Sequence, residues 1–278
     1  MSPSRLERLA YRMLGSVADA EDVVQEARLK LLGQEETPEN EEAWLFRVVT
    51  NLSLDRLREQ KRRRELYPGP WLPEPLPTDE PDDLAELAED LSMGLVLMLE
   101  RLSPAERAVF VLREGFDLGF DDIAALVDVS SAGCRQRYRR AKASLEGRER
   151  YVVSDGAAQR AMLEKLLTAI AERDFESMVA LFTDDCVAYA DGGGVVSAAI
   201  RPITDPARIA RVTLHLAEKL AREGTLEYRW VSLNGGVGML VMLDGTLVSS
   251  VQVEATVDGI RRVYIMRNPE KLAHLAGT

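Results

Sequence analysis

Residues 67–77 read YPGPWLPEPLP, with prolines at 68, 70, 73, 75 and 77. Proline locks φ and lacks an N–H, so this stretch can form neither a helix nor the interior of a sheet. It divides the chain into parts that must each bury a core of their own. Between them it predicts a stiff, extended connector of about 3.1 Å per residue. A plain spacer has no use for an indole, however, and Trp71 sits in its middle. An exposed tryptophan is costly, so Trp71 is expected to be covered by one of the flanking domains.

At about 150 residues per domain, 278 residues allow two or three domains. Hydrophobic residues make up 46%, enough for real cores. No apolar run approaches the ~20 residues of a membrane span, and MSPSRLERLAYRML lacks the apolar stretch of a signal peptide. A cytoplasmic protein that does not use the membrane is expected. Cys134 and Cys186 fall in different segments with no CxxC pattern, which argues against a disulfide framework or a zinc site. His215 and His274 are the only histidines, so neither a metal centre nor a cofactor is expected.

The net charge of −11 looks wrong for a nucleic-acid binder, but the charge is segregated. Segment 55–65, DRLREQKRRRE, has six basic and three acidic residues; segment 131–148 has six and one. Segment 79–90, DEPDDLAELAED, has seven acidic residues and no basic one. Phosphate affinity comes from counterion release at local contacts, so the local fields decide and the average does not.

Periodicity fills in the parts. SVADAEDVVQEARLKLL carries Ala20, Val23, Val24, Ala27 and Leu31 on one helical face, with Ser16 to cap it and Gly33 to end it. A second helix runs from about Glu41 to Arg64, with Trp44, Leu45, Val48, Leu52 and Leu57 as its expected core face. Downstream, SPAERAVFVLRE has a serine cap, proline at the first helical position and a glutamate three residues after the cap. FDDIAALVDVSSAGCRQRYRRAKASL then reads as helix, turn around Asp128–Ser130, and helix: a helix-turn-helix. On its second helix Cys134, Tyr138, Ala141 and Leu145 face inward. From about 156 two amphipathic helices and a third over 205–222 precede strands over 225–243, 246–259 and 260–267, with Asp-Gly turns at 244–245 and 258–259. The expected division is 1–66, a linker 67–92, 93–150 and an α+β domain 156–278.

In their order and spacing, SVADAEDVVQEARLKLL, AWLFRVVTNLSLDRLREQKRRR and LSPAERAVFVLRE with its helix-turn-helix resemble sigma domains 2 and 4 of extracytoplasmic-function (ECF) bacterial sigma factors. WLPEP at 71–75, DGGG at 191–194 and NPEKL at 268–272 resemble three signatures of a subgroup that carries a C-terminal SnoaL-like domain. Departures are Val195 where the subgroup has lysine, Glu270 for aspartate and Asp128 for the usual glycine of the turn. The implied fold is multidomain: two all-α sigma domains followed by an α+β, cone-shaped SnoaL-like domain. The implied function is to bind core RNA polymerase and direct promoter-specific initiation, with the fused domain as regulator. Two alternatives are a ligand-responsive helix-turn-helix repressor and a SnoaL-like isomerase or cyclase with a DNA-binding appendage.

The resemblance places Asp22, Gln25 and Glu26 on the clamp-helices coiled coil of the polymerase. It places Asn51, Arg56, Arg58 and Arg62 at the −10 element, near Trp44 and Phe46. Arginine reads guanine and glutamine reads adenine in the major groove, so Arg135, Gln136 and Arg139 are the expected −35 base readers, with Arg137 and Arg140 on phosphates. Trp71, Leu72, Pro73, Asp191, Gly192, Gly193, Gly194, Asn268, Pro269 and Lys271 are the expected interdomain regulatory contacts, with Asn268 capping a short terminal helix. Trp71 would be covered by the C-terminal domain or by sigma domain 4. No catalytic or metal-binding residue is expected. If the C-terminal domain were an enzyme, Asp191, Tyr189 and Trp230 would line its pocket, with His215 packed or exposed; a small ligand there is left open. The acidic run 79–90 is expected to cover basic surfaces or to mimic DNA.

Overall fold

The computed structural model describes residues 4–64, 66–78, 91–145, 156–256 and 258–276, without the side chains of 62 and 63. The acidic run 79–90 and the Arg62 side chain lie outside the described residues. The chain forms two compact units, one of residues 1–66 with 94–151, the other of 67–93 with 152–278.

The first unit is helical: α1 (Arg5–Leu14), α2 (Val17–Leu32), α3 (Glu41–Arg64), α4 (Met93–Leu99, whose first residue falls to the second unit), α5 (Pro104–Phe116), α6 (Phe120–Val127) and α7 (Ser131–Leu145). Local chemistry sets the helix ends. Ser4 and Ser103 each close a capping box, with Glu7 and Glu106, satisfying amides that would otherwise lack partners. Ser16 caps α2, and Gly33 ends it. Asp128 takes φ 51° at the turn before α7, a left-handed conformation that aspartate tolerates better than most residues.

The face buried by α3 differs from the expected one. Phe46, Val49, Thr50, Ser53, Leu54 and Leu57 are buried, whereas Trp44, Leu45, Val48 and Leu52 are only half-buried. The reason is tertiary: α1 and α2 pack on one side of α3, and α5 and α6 on another, so the buried stripe is rotated. Phe46 meets Phe116 edge-on at 5.2 Å, with Arg5 over both rings and Arg12 over Phe116. Arg107 is fully buried beneath; its Nε donates to the Arg12 carbonyl at 3.0 Å, and Glu100 pairs with both Arg107 and Arg64. Burial pushes the Arg107 guanidinium down to about 9. The two helical modules therefore share one core.

The second unit carries α8 (Gly156–Glu172), α9 (Phe175–Ala180), β1 (Phe182–Asp191), α10 (Pro206–Glu223), β2 (Leu226–Leu233), β3 (Gly236–Leu243), β4 (Thr246–Thr256), β5 (Gly259–Met266) and α11 (Pro269–Leu272), continued by a 3-10 turn (Ala273–Leu275). The sheet order is β1-β5-β4-β3-β2, antiparallel except for the β1–β5 pair. Helices α8 and α10 cover one face, burying Leu163, Leu166, Ile209 and Ala210 with Phe182, Val253 and Val263.

Strand β1 was not expected, because Asp184 and Asp185 break the alternation. It is an edge strand, where charge is tolerated and blunts further pairing; Asp185 there pairs with Arg261 at 2.5 Å. The residues expected to form one strand over 225–243 are a hairpin. Its turn is Asn234–Gly235, at φ 54° and 73°, as a two-residue turn of the primed class requires. Asp244–Gly245 is a second such turn. At the third, Gly259 is already paired with Thr256 and opens β5; its φ of 135° and the Leu181 carbonyl, 2.7 Å from where a Cβ would sit, explain the glycine.

Candidate functional site

Helix α2 buries Val17, Ala20, Val23, Val24 and Ala27, which leaves Asp22 and Gln25 exposed on the opposite side. Glu26 is half-buried and pairs with Lys30 at 3.3 Å. A polar face thus remains open on a helix whose apolar face is occupied.

At the basic end of α3, Asn51 and Arg58 are exposed; Arg58 pairs with Asp55 at 2.7 Å, an exposed pair of little energetic weight. Arg56 is different. Asp19, at the start of α2, accepts from Arg56 at 3.2 Å and from Gln60 at 2.5 Å, which ties the helix down. The sequence reading missed Asp19, since nothing in its spacing links it to a residue 37 positions on. Phe46 is spent in the core, so it does not face a base, and Trp44 is half-buried.

In the helix-turn-helix, Cys134 and Ala141 are buried, Tyr138 and Leu145 half-buried. Tyr138 packs on Phe110 and Phe120 and donates to Glu114. That fixes the rotation of α7 and turns Arg135, Gln136, Arg139 and Arg140 to solvent, with Arg137 half-buried. The Ser130 hydroxyl accepts from Gly133 N at 3.1 Å and starts the helix. With Lys142, five cations stand on one short element. Their mutual repulsion is relieved by an anion, and a row of phosphates supplies one.

The second unit answers the question raised by the proline-rich segment. Residues 67–78 belong to it and lie on its α+β domain. At their far end, Thr78 N donates to Ser232 O at 3.0 Å and Asn234 N to Leu76 O at 2.7 Å, while the Asn234 amide bonds both Leu76 N and Leu91 O. At their near end, Asp191, the last residue of β1, accepts four hydrogen bonds. Oδ1 takes Tyr67 OH at 2.6 Å and Gly193 N at 2.9 Å; Oδ2 takes Leu72 N at 2.9 Å and Lys271 Nζ at 2.7 Å. A carboxylate has about four such positions, and all are used.

Lys271 is buried as well. Its ammonium also donates to Leu72 O at 2.6 Å and lies 4.1 Å from the Trp71 ring and 4.9 Å from Tyr67. Trp71 is half-buried, with Lys271 of the C-terminal domain over one face of its ring. Asn268 caps α11 through Glu270 N and donates to Tyr67 OH at 3.0 Å. Burial, then Asp191, raises the Tyr67 phenol well above its usual range. Gly193 and Gly194 sit at φ 64° and 74°; a Cβ on the first would overlap the Asn268 amide, and on the second the Pro68 ring. Leu72 and Pro73 are buried, Pro269 is exposed, and Gly192 opens the loop. Tyr67, His274 (2.7 Å from Pro75 O) and Asn234 were missed from sequence; only Asn234, in its Asn-Gly pair, left a local signal.

Asp191, Tyr189 and Trp230 do not line a pocket together. Strand alternation turns Asp191 and Tyr189 away from the domain's cavity, and Tyr189 stacks on Tyr264 at 5.8 Å. Trp230 lies beneath the Arg160 guanidinium at 3.9 Å. His215 is exposed at the cavity rim.

Residues 4–63 match Sigma-70 region 2, and residues 92–145 match Sigma-70, region 4. The chain is 36% identical over 219 residues to the ECF RNA polymerase sigma factor SigJ of Mycobacterium tuberculosis, spanning 77% of this chain and 70% of that one. It is 32% identical over 176 residues to the probable ECF RNA polymerase sigma factor SigI of the same species, spanning 62% and 61%. A crystal structure of M. tuberculosis SigJ superposes with a TM-score of 0.76 at 29% identity, covering 96% of this chain and 94% of that one. The two matched regions define a protein that selects promoters. The chain belongs to the ECF RNA polymerase sigma factors, which bind core polymerase and promoter DNA to direct transcription initiation. Among the described residues no helix is long and apolar enough to cross a membrane.

Proposed function

We propose that the polar face of α2, through Asp22, Gln25 and Glu26, docks on the clamp-helices coiled coil of core polymerase in the cytoplasm. Asn51, Arg58 and Arg62, with Arg56 once released from Asp19, engage the −10 element. Arg135, Gln136 and Arg139 read base edges at −35, while Arg137 and Arg140 hold phosphates. Residues 1–66 and 93–150 are the two promoter-reading modules.

The SnoaL-like domain, residues 156–278, acts as a regulator and not as a catalyst, and its lever is the linker. The carrying observation is the Asp191–Lys271 pair closed on both backbone groups of Leu72, the N–H and the C=O. A tether that leaves one module and enters the next sets how far apart the two can reach. Anchored, residues 67–78 are removed from that reach; released, they restore roughly 3 Å per residue.

Run-off transcription with core polymerase tests this, comparing the full chain, a chain ending at 267 and one ending at 150. Loss of 268–278 removes Asn268 and Lys271 and raises the yield of promoter-specific transcript. Equal yields from the full chain and the chain ending at 267 overturn the reading. The acidic run 79–90 shields the basic helices in the free protein; neutralising it strengthens promoter binding at low salt, and unchanged binding refutes that role.

A further inference from the structure

The C-terminal domain encloses a cavity of about 440 Å³ between α10 and one face of the sheet. Each strand contributes to its wall, among others Ala190, Ile265, Val251, Val241 and Tyr228. The wall is apolar and the rim is not. Arg208 and Lys219 stand on α10, and Arg267 follows β5, with His215 between the first two in sequence. No Asp or Glu among the described residues lines the cavity. That is the reverse of the chain as a whole, which has 46 acidic and 35 basic side chains. A cavity carved at random from this protein would carry acids.

Arg267 is the informative residue. Its Nη1 donates to the Ser197 carbonyl at 2.5 Å, but its buried Nε has no partner. Burial holds the guanidinium below its ordinary range, so the site disfavours the charge it carries. A half-buried guanidinium whose buried Nε–H is unsatisfied is completed by an anion. One guanidinium suits a singly charged planar group; a phosphate asks for more donors. The apolar wall asks for a hydrocarbon body, and Val212 and Tyr228, 43% and 36% exposed at the rim, extend that surface to the mouth.

We propose that this cavity binds a small apolar molecule carrying one carboxylate, with the carboxylate on Arg267 and the positive rim of Arg208 and Lys219 drawing it in. The proposal rests on the regulatory reading of the domain and supplies its input. The Arg267 N–H donates to the Asp191 carbonyl at 2.7 Å, and the next residue, Asn268, holds Tyr67. The residue that takes the ligand is one peptide away from the linker clamp.

The test is calorimetric titration of the full chain, without polymerase, with decanoate, decanamide and decylammonium, each below its micelle concentration. Decanoate is expected to bind one per chain, at least about tenfold more tightly than the amide, as a charge-assisted contact requires. Decylammonium does not bind. Arg267→Gln lowers decanoate affinity about tenfold and leaves decanamide unchanged. Arg208→Gln with Lys219→Gln, both exposed and harmless to folding, weakens decanoate in a salt-dependent way; this pair decides should Arg267→Gln fail to fold. Equal binding of acid and amide, no binding of either, or affinities unmoved by both sets of substitutions overturns the site. Because the readout is binding alone, a failed transcription response with intact binding counts against the linker reading and not against the cavity.

Discussion

Asp191 shows how one side chain can hold a linker. Its four acceptor positions are filled by Tyr67 and Leu72 of the linker, by Lys271 near the C-terminus and by the neighbouring Gly193 amide, and the ammonium beside it is buried in turn. A buried pair is weak evidence of net stability, but removing one partner is costly, because the other charge stays in low dielectric. Asp191→Asn is therefore expected to destabilise the protein by about 3–5 kcal/mol in urea unfolding. Asp191→Leu and Lys271→Met together should cost well under the sum of the two singles. Tyr67 adds a pH signature. Its folded-state phenol titrates above the ordinary value near 10, so between the two the folded state holds more protons than the unfolded state. Its contribution is complete below pH 10 and declines as pH rises beyond. Thermal unfolding of Tyr67→Phe should show a shallower alkaline loss than the parent, and identical alkaline slopes would refute the assignment.

At the scale of elements, α7 and the capped helices were readable because their signals are local. Ser103, Pro104 and Glu106 lie within one turn, and the structure closes the capping box they spell. Ser103→Ala should cost about 1 kcal/mol in denaturant unfolding. The outward arginines of α7 follow from the inward Cys134 and Ala141 on a 3.6-residue period. Arg135→Ala and Arg139→Ala are each expected to cost about 1–3 kcal/mol in promoter binding and to relax discrimination at one base pair. Arg140→Ala should weaken all sequences alike and lower the salt slope by about one. Filter binding across a salt series separates the two outcomes. Strand β1 and the buried face of α3 were not readable. The first is an edge strand that breaks alternation with two aspartates. The second packs against neighbours from both halves of the unit, which no single-helix period encodes.

At the scale of the molecule, the two helical modules form one unit around Arg107, Glu100 and the Phe46–Phe116 contact. Glu100 answers arginines from both modules, Arg64 and Arg107, and nothing in the spacing of residues 64, 100 and 107 marks them as partners. Glu100→Gln leaves Arg107 buried without its carboxylate. Chemical denaturation should then show residues 4–64 and 91–145 losing stability together, in one transition at lower urea, rather than one module alone. The linker also acts at this scale: it connects two parts of one unit, yet its described residues 67–78 pack within the other.

The amino-acid sequence alone determined the helices, the helix caps at Ser16 and Ser103, the helix-turn-helix, the segregation of charge and the family, because each depends on residues a few positions apart. It also marked WLPEP, DGGG and NPEKL as a set without saying what joins them. The tertiary structure decided that a carboxylate, an ammonium and a phenol converge on the backbone of Leu72. It also decided which face of α3 is buried, and that Arg208, Lys219 and Arg267 meet around the cavity of an acidic protein. These outcomes rest on contacts between residues far apart in sequence, 80 positions for Asp191 and Lys271 and 201 for Tyr67 and Asn268, where proximity is created by folding and leaves no periodic trace in the chain.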